Sequence, residues 1–277
     1  MPLNTRLLIL LAALLLVDGA AHAQREFREY PSFEGAAAEA PLPADWSVPR
    51  ELVIGRLMYP DGRYGFRGRN WEQGGTSWTD DYPRGDRTLI AMLRRFTRTD
   101  VRGVEQPVNP DYGDDLGYWP FMIVGLAASW QLTDEQAANI REYLLRGGFM
   151  FCDSFYGERN WAAFKESLSR IFPDRPIVDL TDDEPIFHIV FDLPHMTSVQ
   201  IPHVSAAFNG GRGFMGSDAI PAWRGVFDDD GRLMVLIAYN NDVADAWQWA
   251  DDPRYPAEKA NIALRLGVNL AMYAMTH

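Results

Sequence analysis

The chain has 277 residues, of which 47% are hydrophobic, 13% aromatic and 23% charged, with 9 Trp and 1 Cys. Such a composition excludes disordered, collagen-like and disulfide-stapled chains and supplies enough apolar surface for a sizeable core. Lys and Arg number 26 against 38 Asp and Glu, a formal net charge of −12, so a phosphate backbone is repelled and no nucleic-acid partner is expected.

The first feature along the chain is a signal-peptide pattern over residues 1–23. Arg6 is a short basic region, Leu7 to Val17 is an unbroken apolar run, and Ala21-His22-Ala23 fits the small-x-small cleavage rule, with Gln24 as the mature start. The apolar run is about 11 residues, short of the roughly 20 that cross a bilayer. The pattern predicts a periplasmic or secreted protein with no membrane span after cleavage; a retained anchor is the competing reading. A lone Cys permits no internal disulfide, so an exported form must rest on its core and hydrogen bonds.

Residues 24–49 contain Gly35-Ala36-Ala37-Ala38 and Pro41-Leu42-Pro43 and read as a linker-like lead-in that connects and rarely packs. A single domain is expected over 50–277. Leu52 to Tyr59 reads as a buried strand, ended by Pro60-Asp61-Gly62. The polar, Gly- and Trp-rich stretch 60–85 is long for a loop, and long loops in compact domains usually carry function.

Leu89, Ile90, Leu93 and Phe96 share one face of a helix predicted near 86–97. Phe121 to Val124 is a short buried strand. Thr133 and Gln136 form a capping box, Ala137, Ile140 and Leu144 an apolar stripe, and Gly147 a helix stop. Phe149 to Cys152 is a second buried strand. A helix over 158–171 carries Trp161, Phe164, Leu168 and Ile171 and halts before Pro173; Ile177 to Leu180 reads as a strand.

The region 181–222 is irregular, with Pro185, Pro194, Pro202, Pro221, Gly210-Gly211 and Gly213, and reads as an insertion capping one end of the sheet. Gly225-Val226-Phe227 and Leu233 to Tyr239 flank a turn at Asp228 to Gly231 and form a β-hairpin. A last helix starts near Pro256 and buries Ile262, Leu266, Leu270 and Tyr273. Strands alternating with amphipathic helices predict an α/β three-layer sandwich with a mainly parallel sheet, plus a C-terminal β-hairpin and helix.

In an open parallel sheet, ligands bind at the carboxyl ends of the strands. Three polar clusters follow predicted strands: Trp78 to Asp86, Asp153-Ser154-Phe155-Tyr156-Gly157, and Asn240-Asn241-Asp242 with Asp245-Ala246-Trp247. The candidate binding residues are Trp78, Asp80, Asp81, Arg84, Asp86, Asp153, Ser154, Asn240, Asn241, Asp242, Asp245 and Trp247. Asp153, Cys152 and Asp81 are the catalytic candidates. Each has a plain structural alternative. Asp86 can cap its helix, Arg84 can pair with a nearby carboxylate, and Asp153 can accept from a helix N-terminus. The 240–242 run can be turn formers, and the tryptophans can simply pack.

Cys152 lacks the flanking glycines of a nucleophile elbow, and the acid beside it raises its pKa, so it reads as a small buried hydrophobe. His188 sits in an apolar run and reads as a core or hydrogen-bonded histidine; His203 and His277 have no acidic neighbour in sequence. Asp80, Asp81, Asp153 and Asp242 are hard oxygen ligands of the sort Ca²⁺ or Mg²⁺ takes, but no fixed ligand spacing is present. No cofactor is therefore predicted, with Ca²⁺ or Mg²⁺ at these acids kept as the minor alternative. Neither a Walker A loop nor a G-x-G-x-x-G run occurs.

Trp78-Thr79-Asp80 with Pro83 and Asp86, the Tyr143 to Phe149 junction leading to Asp153, and the tail with Asp245-Ala246-Trp247, Arg265 to Asn269 and Tyr273 to His277 together resemble the bacterial domain-of-unknown-function family four-one-five-nine. The resemblance covers roughly 50–277. It implies a fold similar to class I glutamine amidotransferase-like, trehalose-utilisation-type and flavodoxin-like domains, and it implies no reaction. Longer relatives carry N-terminal membrane segments of the aerotolerance type; this chain looks like a stand-alone exported form. An amidotransferase needs an elbow Cys and a His and Glu two apart. This chain has no His-x-Glu, and it carries Glu184-Pro185 where relatives often show His-Pro.

Two functional readings follow. The first is an exported α/β domain that binds a small polar ligand, such as a sugar, or an envelope protein at the strand-end crevice. The alternative is an exported hydrolase using Asp carboxylates or Cys152 in the same crevice.

Overall fold

Short apolar runs between polar punctuation become strands. They are β1 (Ile54–Leu57), β2 (Gln106–Val108), β3 (Phe121–Val124), β4 (Phe149–Phe155), β5 (Val178–Asp179), β6 (Ala222–Phe227) and β7 (Leu233–Tyr239). The helices are α1 (Arg84–Phe96), α2 (Gly113–Leu116), α3 (Asp134–Leu145), α4 (Gly157–Ile171), α5 (Val204–Phe208), α6 (Val243–Gln248) and α7 (Ala257–Thr276). The computed structural model describes residues 26–62, 65, 70–210 and 220–277. The signal-like segment 1–23, Gly211 and Gly213 lie outside the described residues.

The strands form one seven-stranded sheet in the order β2-β1-β3-β4-β7-β6-β5. β2, β1, β3, β4 and β7 are mutually parallel, and β6 runs antiparallel to β7 and β5. The parallel part therefore winds as a flavodoxin-like sheet with its switch between β1 and β3. Side chains alternate across it. Ile54, Phe121, Ile123, Phe149, Phe151 and Leu236 pack on α1, α6, α7 and the 180–207 stretch. Met122, Val124, Met150, Cys152, Val235 and Ile237 pack on α3 and α4. This is the expected three-layer α/β sandwich, with the C-terminal hairpin (β6–β7) and helix.

The capping box at α3 is complete, with both Thr133 and Gln136 making their reciprocal bonds. At its far end Gly147 takes φ +113, the left-handed turn that ends the helix. Gly148 has a different constraint. A Cβ there would lie 2.3 Å from the Tyr143 ring, whose hydroxyl is pinned to the carbonyls of Pro120 and Phe149. Gly148→Ala is expected to cost about 1–3 kcal/mol through overpacking. Thermal unfolding checks this, and an unchanged midpoint contradicts it.

Three elements depart from the sequence reading. β2 is only three residues long and contains Pro107, so it carried no strand signal. α6 grows directly out of the predicted turn, because Asp242 caps it by accepting from the Asp245 N–H. The lead-in packs instead of connecting. Its Ser32 hydroxyl donates to the Thr79 carbonyl, the Ala40 carbonyl accepts from Arg87, and Ala38 is fully buried. Its small residues let the backbone lie close to α1, and partners elsewhere in the chain satisfy its polar groups.

Candidate functional site

β4 and β7 are neighbouring parallel strands, so their carboxyl ends deliver Asp153 and Asp242 side by side. The loop between β1 and α1 brings Asp80 and Asp81, and the first turn of α6 brings Asp245. Glu34 reaches in from the lead-in. Its carboxylate accepts from the Asp81 N–H at 2.7 Å and from the Gln248 side chain at 3.3 Å. Asp81, Asp153, Asp242 and Asp245 are buried, whereas Asp80 and Glu34 are partly exposed.

Backbone geometry marks the same rim. Asp81, Ser154 and Asn240 have φ of 58°, 63° and 58°, and Leu126 after β3 has 41°. Non-glycine residues in this region carry strain and gather at functional sites.

The hydrogen bonds are incomplete. Asp153 Oδ2 accepts from the Ala244 N–H at 2.8 Å, the helix-terminus role weighed for it, but its Oδ1 is buried without a partner among the described residues. Asp81 Oδ2 and the Tyr156 hydroxyl are likewise buried and unpartnered. Asp242 accepts from the Ser154 hydroxyl at 3.0 Å, and Asp245 Oδ2 accepts from the Val204 N–H at 2.6 Å. His203 stands at the edge, its Nε2 3.8 Å from Asp245 Oδ2.

Burial pushes Asp81 well above the ordinary carboxylate range, and the charges of Asp80, Asp245, Asp242 and Glu34 add to it. Burial and then Asp242 raise Asp153 against the bond from the Ala244 N–H. Burial, then Asp242 and Asp80, raise Asp245. In each case burial is the larger cause, and the neighbouring carboxyls oppose ionisation further.

The other candidates have structural partners. Asp86 is fully buried and takes two bonds from Arg56, Nε to Oδ2 at 3.1 Å and Nη2 to Oδ1 at 2.7 Å. Arg84 pairs with Asp251 at 2.7 Å and lies over the Trp249 ring. Asn240 and Asn241 are committed to backbone groups: Asn240 accepts from Gly157 N–H, and Asn241 from Ile201 N–H. Trp78 and Trp247 are fully buried, their indoles donating to the carbonyls of Trp71 and Ala263. Neither offers an open aromatic face.

Cys152 points to the opposite sheet face, among Met150, Ile237 and Phe164. Burial and then Asp153 push its thiol up. His188 is tied at the surface to Asp192 and the Asp182 carbonyl. A cleft of about 490 Å³, lined by Trp130, Arg159, Glu166 and Arg170, contains none of the clustered carboxylates, so cleft size does not identify the chemistry here.

Sequence reasoning did not single out Glu34, His203 or Arg56, and it placed Tyr156 in a rim cluster without making it a candidate. Glu34 was hidden by its Ala- and Pro-rich surroundings. Tyr156 had a signal, since it directly follows the β4 rim.

These features define a doubly wound α/β domain with a cluster of largely buried carboxylates at its strand ends. The family model described as Domain of unknown function (DUF4159) matches residues 68–275, and the chain belongs to that family. No curated protein matches the chain. No helix of the described residues is long and apolar enough to cross a membrane.

Proposed function

We propose that this domain binds a small polar ligand, one presenting hydroxyl or ammonium donors, in the strand-end crevice. The observation that carries the reading is the convergence of six acids, Glu34, Asp80, Asp81, Asp153, Asp242 and Asp245, with buried oxygens on Asp81 and Asp153 left unpartnered. Unsatisfied buried acceptors cost free energy, and a donor-bearing ligand relieves that cost. Residues 1–23 support an exported protein that meets its ligand, or an envelope protein carrying it, outside the cytoplasm.

Calorimetric titration with polyols, amino sugars and polyamines tests the reading. Asp80→Asn and Glu34→Gln lie on the partly exposed side and should each weaken the binding ligand at least tenfold, while circular dichroism stays unchanged. Affinities equal to the parent would remove the crevice as the site.

A second reading, hydrolysis, draws support from the Asp153–Asp242 pair. Two adjacent carboxyls in different environments divide into a protonated acid and an ionised base. Because Cys152 lies in the opposite core, this reading runs through carboxyls. Asp153→Asn should then abolish turnover of glycoside, ester or amide substrates; undiminished turnover would exclude Asp153.

A further inference from the structure

At the strand-end rim, one ligand atom each from His203, Asp242 and Asp245 lies within 4.8 Å of the others. A divalent cation bonded at about 2.0–2.6 Å holds ligand atoms up to roughly 5 Å apart across it. These residues come from two segments. Asp242 caps α6 and Asp245 is in its first turn, whereas His203 precedes α5. The Val204 N–H bond to Asp245 Oδ2 and the Asp242 N–H bond to the Ile201 carbonyl, at 2.9 Å, clamp the His203 segment against α6.

A second feature lies on the same rim. The Tyr156 hydroxyl, just beyond β4, is buried with no partner among the described residues. Asp153 Oδ1, also buried and unpartnered among the described residues, lies on β4 next to Ser154, whose hydroxyl donates to Asp242. Compensating charge is scarce here. Arg56 is committed to Asp86 by two hydrogen bonds.

We propose that His203, Asp242 and Asp245 form a binding site for a divalent transition-metal ion of the Mn²⁺ or Zn²⁺ kind. The inference rests on the crevice being a binding site and names the first chemical group it holds. Mixed imidazole and carboxylate ligation suits these ions better than Ca²⁺, which takes oxygen ligands. His203 would bind through Nε2. Its Nδ1 accepts from the Ser205 N–H at 3.0 Å and lies 2.8 Å from the Ser205 hydroxyl, so binding through Nε2 would move the ring proton to Nδ1, trading the N–H bond for donation to the hydroxyl. The sequence alone implied no such set, because His203 and Asp245 are 42 residues apart.

Calorimetry with Mn²⁺ and with Zn²⁺, on protein stripped with EDTA, tests the site, with thermal unfolding alongside. One-to-one saturable binding and a raised unfolding midpoint are expected. His203→Gln, at the partly exposed edge, should weaken binding at least tenfold. The double variant Asp242→Asn, Asp245→Asn should lose it, while its amide oxygens still accept the Asp245 and Val204 N–H bonds. Absence of saturable binding of either ion, or equal binding by His203→Gln, would overturn the proposal. A protein that binds polyols or polyamines but neither ion overturns this inference and leaves the crevice reading standing. Ion binding without any organic ligand does the reverse.

Discussion

Replacing Arg56 with Met should destabilise the domain by about 3–5 kcal/mol, the usual cost of stripping one partner from a buried ion pair. Arg56 lies in the middle of β1 with no exposed surface, and its guanidinium grips Asp86 in the first turn of α1. Burial alone would lower the guanidinium pKa. The Asp86 charge and hydrogen bonds, with Asp81 and Asp80 behind them, outweigh burial and hold it above its ordinary value. Without Arg56, Asp86 is an uncompensated buried charge beside an acidic crevice.

The double variant Arg56→Met, Asp86→Leu should recover most of the loss, because a matched apolar pair needs no counter-charge. Urea unfolding at pH 7 checks both. A loss below about 1 kcal/mol in the single variant would show that the pair does not hold β1 to α1.

Stability should fall as pH rises from about 5 to 8, by about 3 kcal/mol from Glu105 alone. Glu105 is fully buried, and burial raises it from 4.5 to about 7 despite its bonds from Arg87. Asp81 and Asp153 are raised in the same direction. A carboxyl whose folded pKa lies above its unfolded value binds more protons in the native state. Its contribution is complete below the unfolded value and is lost as pH climbs through the folded one.

The exposed pairs act in the opposite sense at lower pH. Asp252 is lowered to about 2 by the Arg254 side chain and N–H, so its contribution disappears as pH falls from about 4 to 2. The two groups together predict a stability maximum in mildly acidic solution. Thermal unfolding in EDTA at pH 5 and pH 8 tests this. Asp153→Asn keeps an acceptor for the Ala244 N–H and should narrow the difference between the two midpoints. A parent midpoint that is higher at pH 8 would refute the account.

Much of this molecule could be read along the chain. The Thr133–Gln136 box, the Gly147 stop and the Phe121 to Val124 run depend on contacts within a few residues, and they appear where expected. The acidic rim was also legible. Strand–helix alternation implies parallel strands, and parallel strands share one carboxyl end, so Asp80, Asp81, Asp153, Asp242 and Asp245 had to approach one another. Burial was less readable. Trp78 and Trp247, expected at the rim, donate their indole N–H groups inward and fill the core. A tryptophan beside a polar run gives no sign of which way its ring will turn.

The sequence by itself determined the α/β alternation, the helix ends and the acidic character of the strand ends, because short-range periodicity and capping carry those signals. Only the tertiary structure decided that Arg56 faces Asp86, that the lead-in delivers Glu34, and that His203 stands beside Asp242 and Asp245. Those pairings span between about 30 and 50 positions along the chain. No local pattern encodes them; they follow from the packing of α1, α6 and the irregular 180–207 stretch on one face of the sheet.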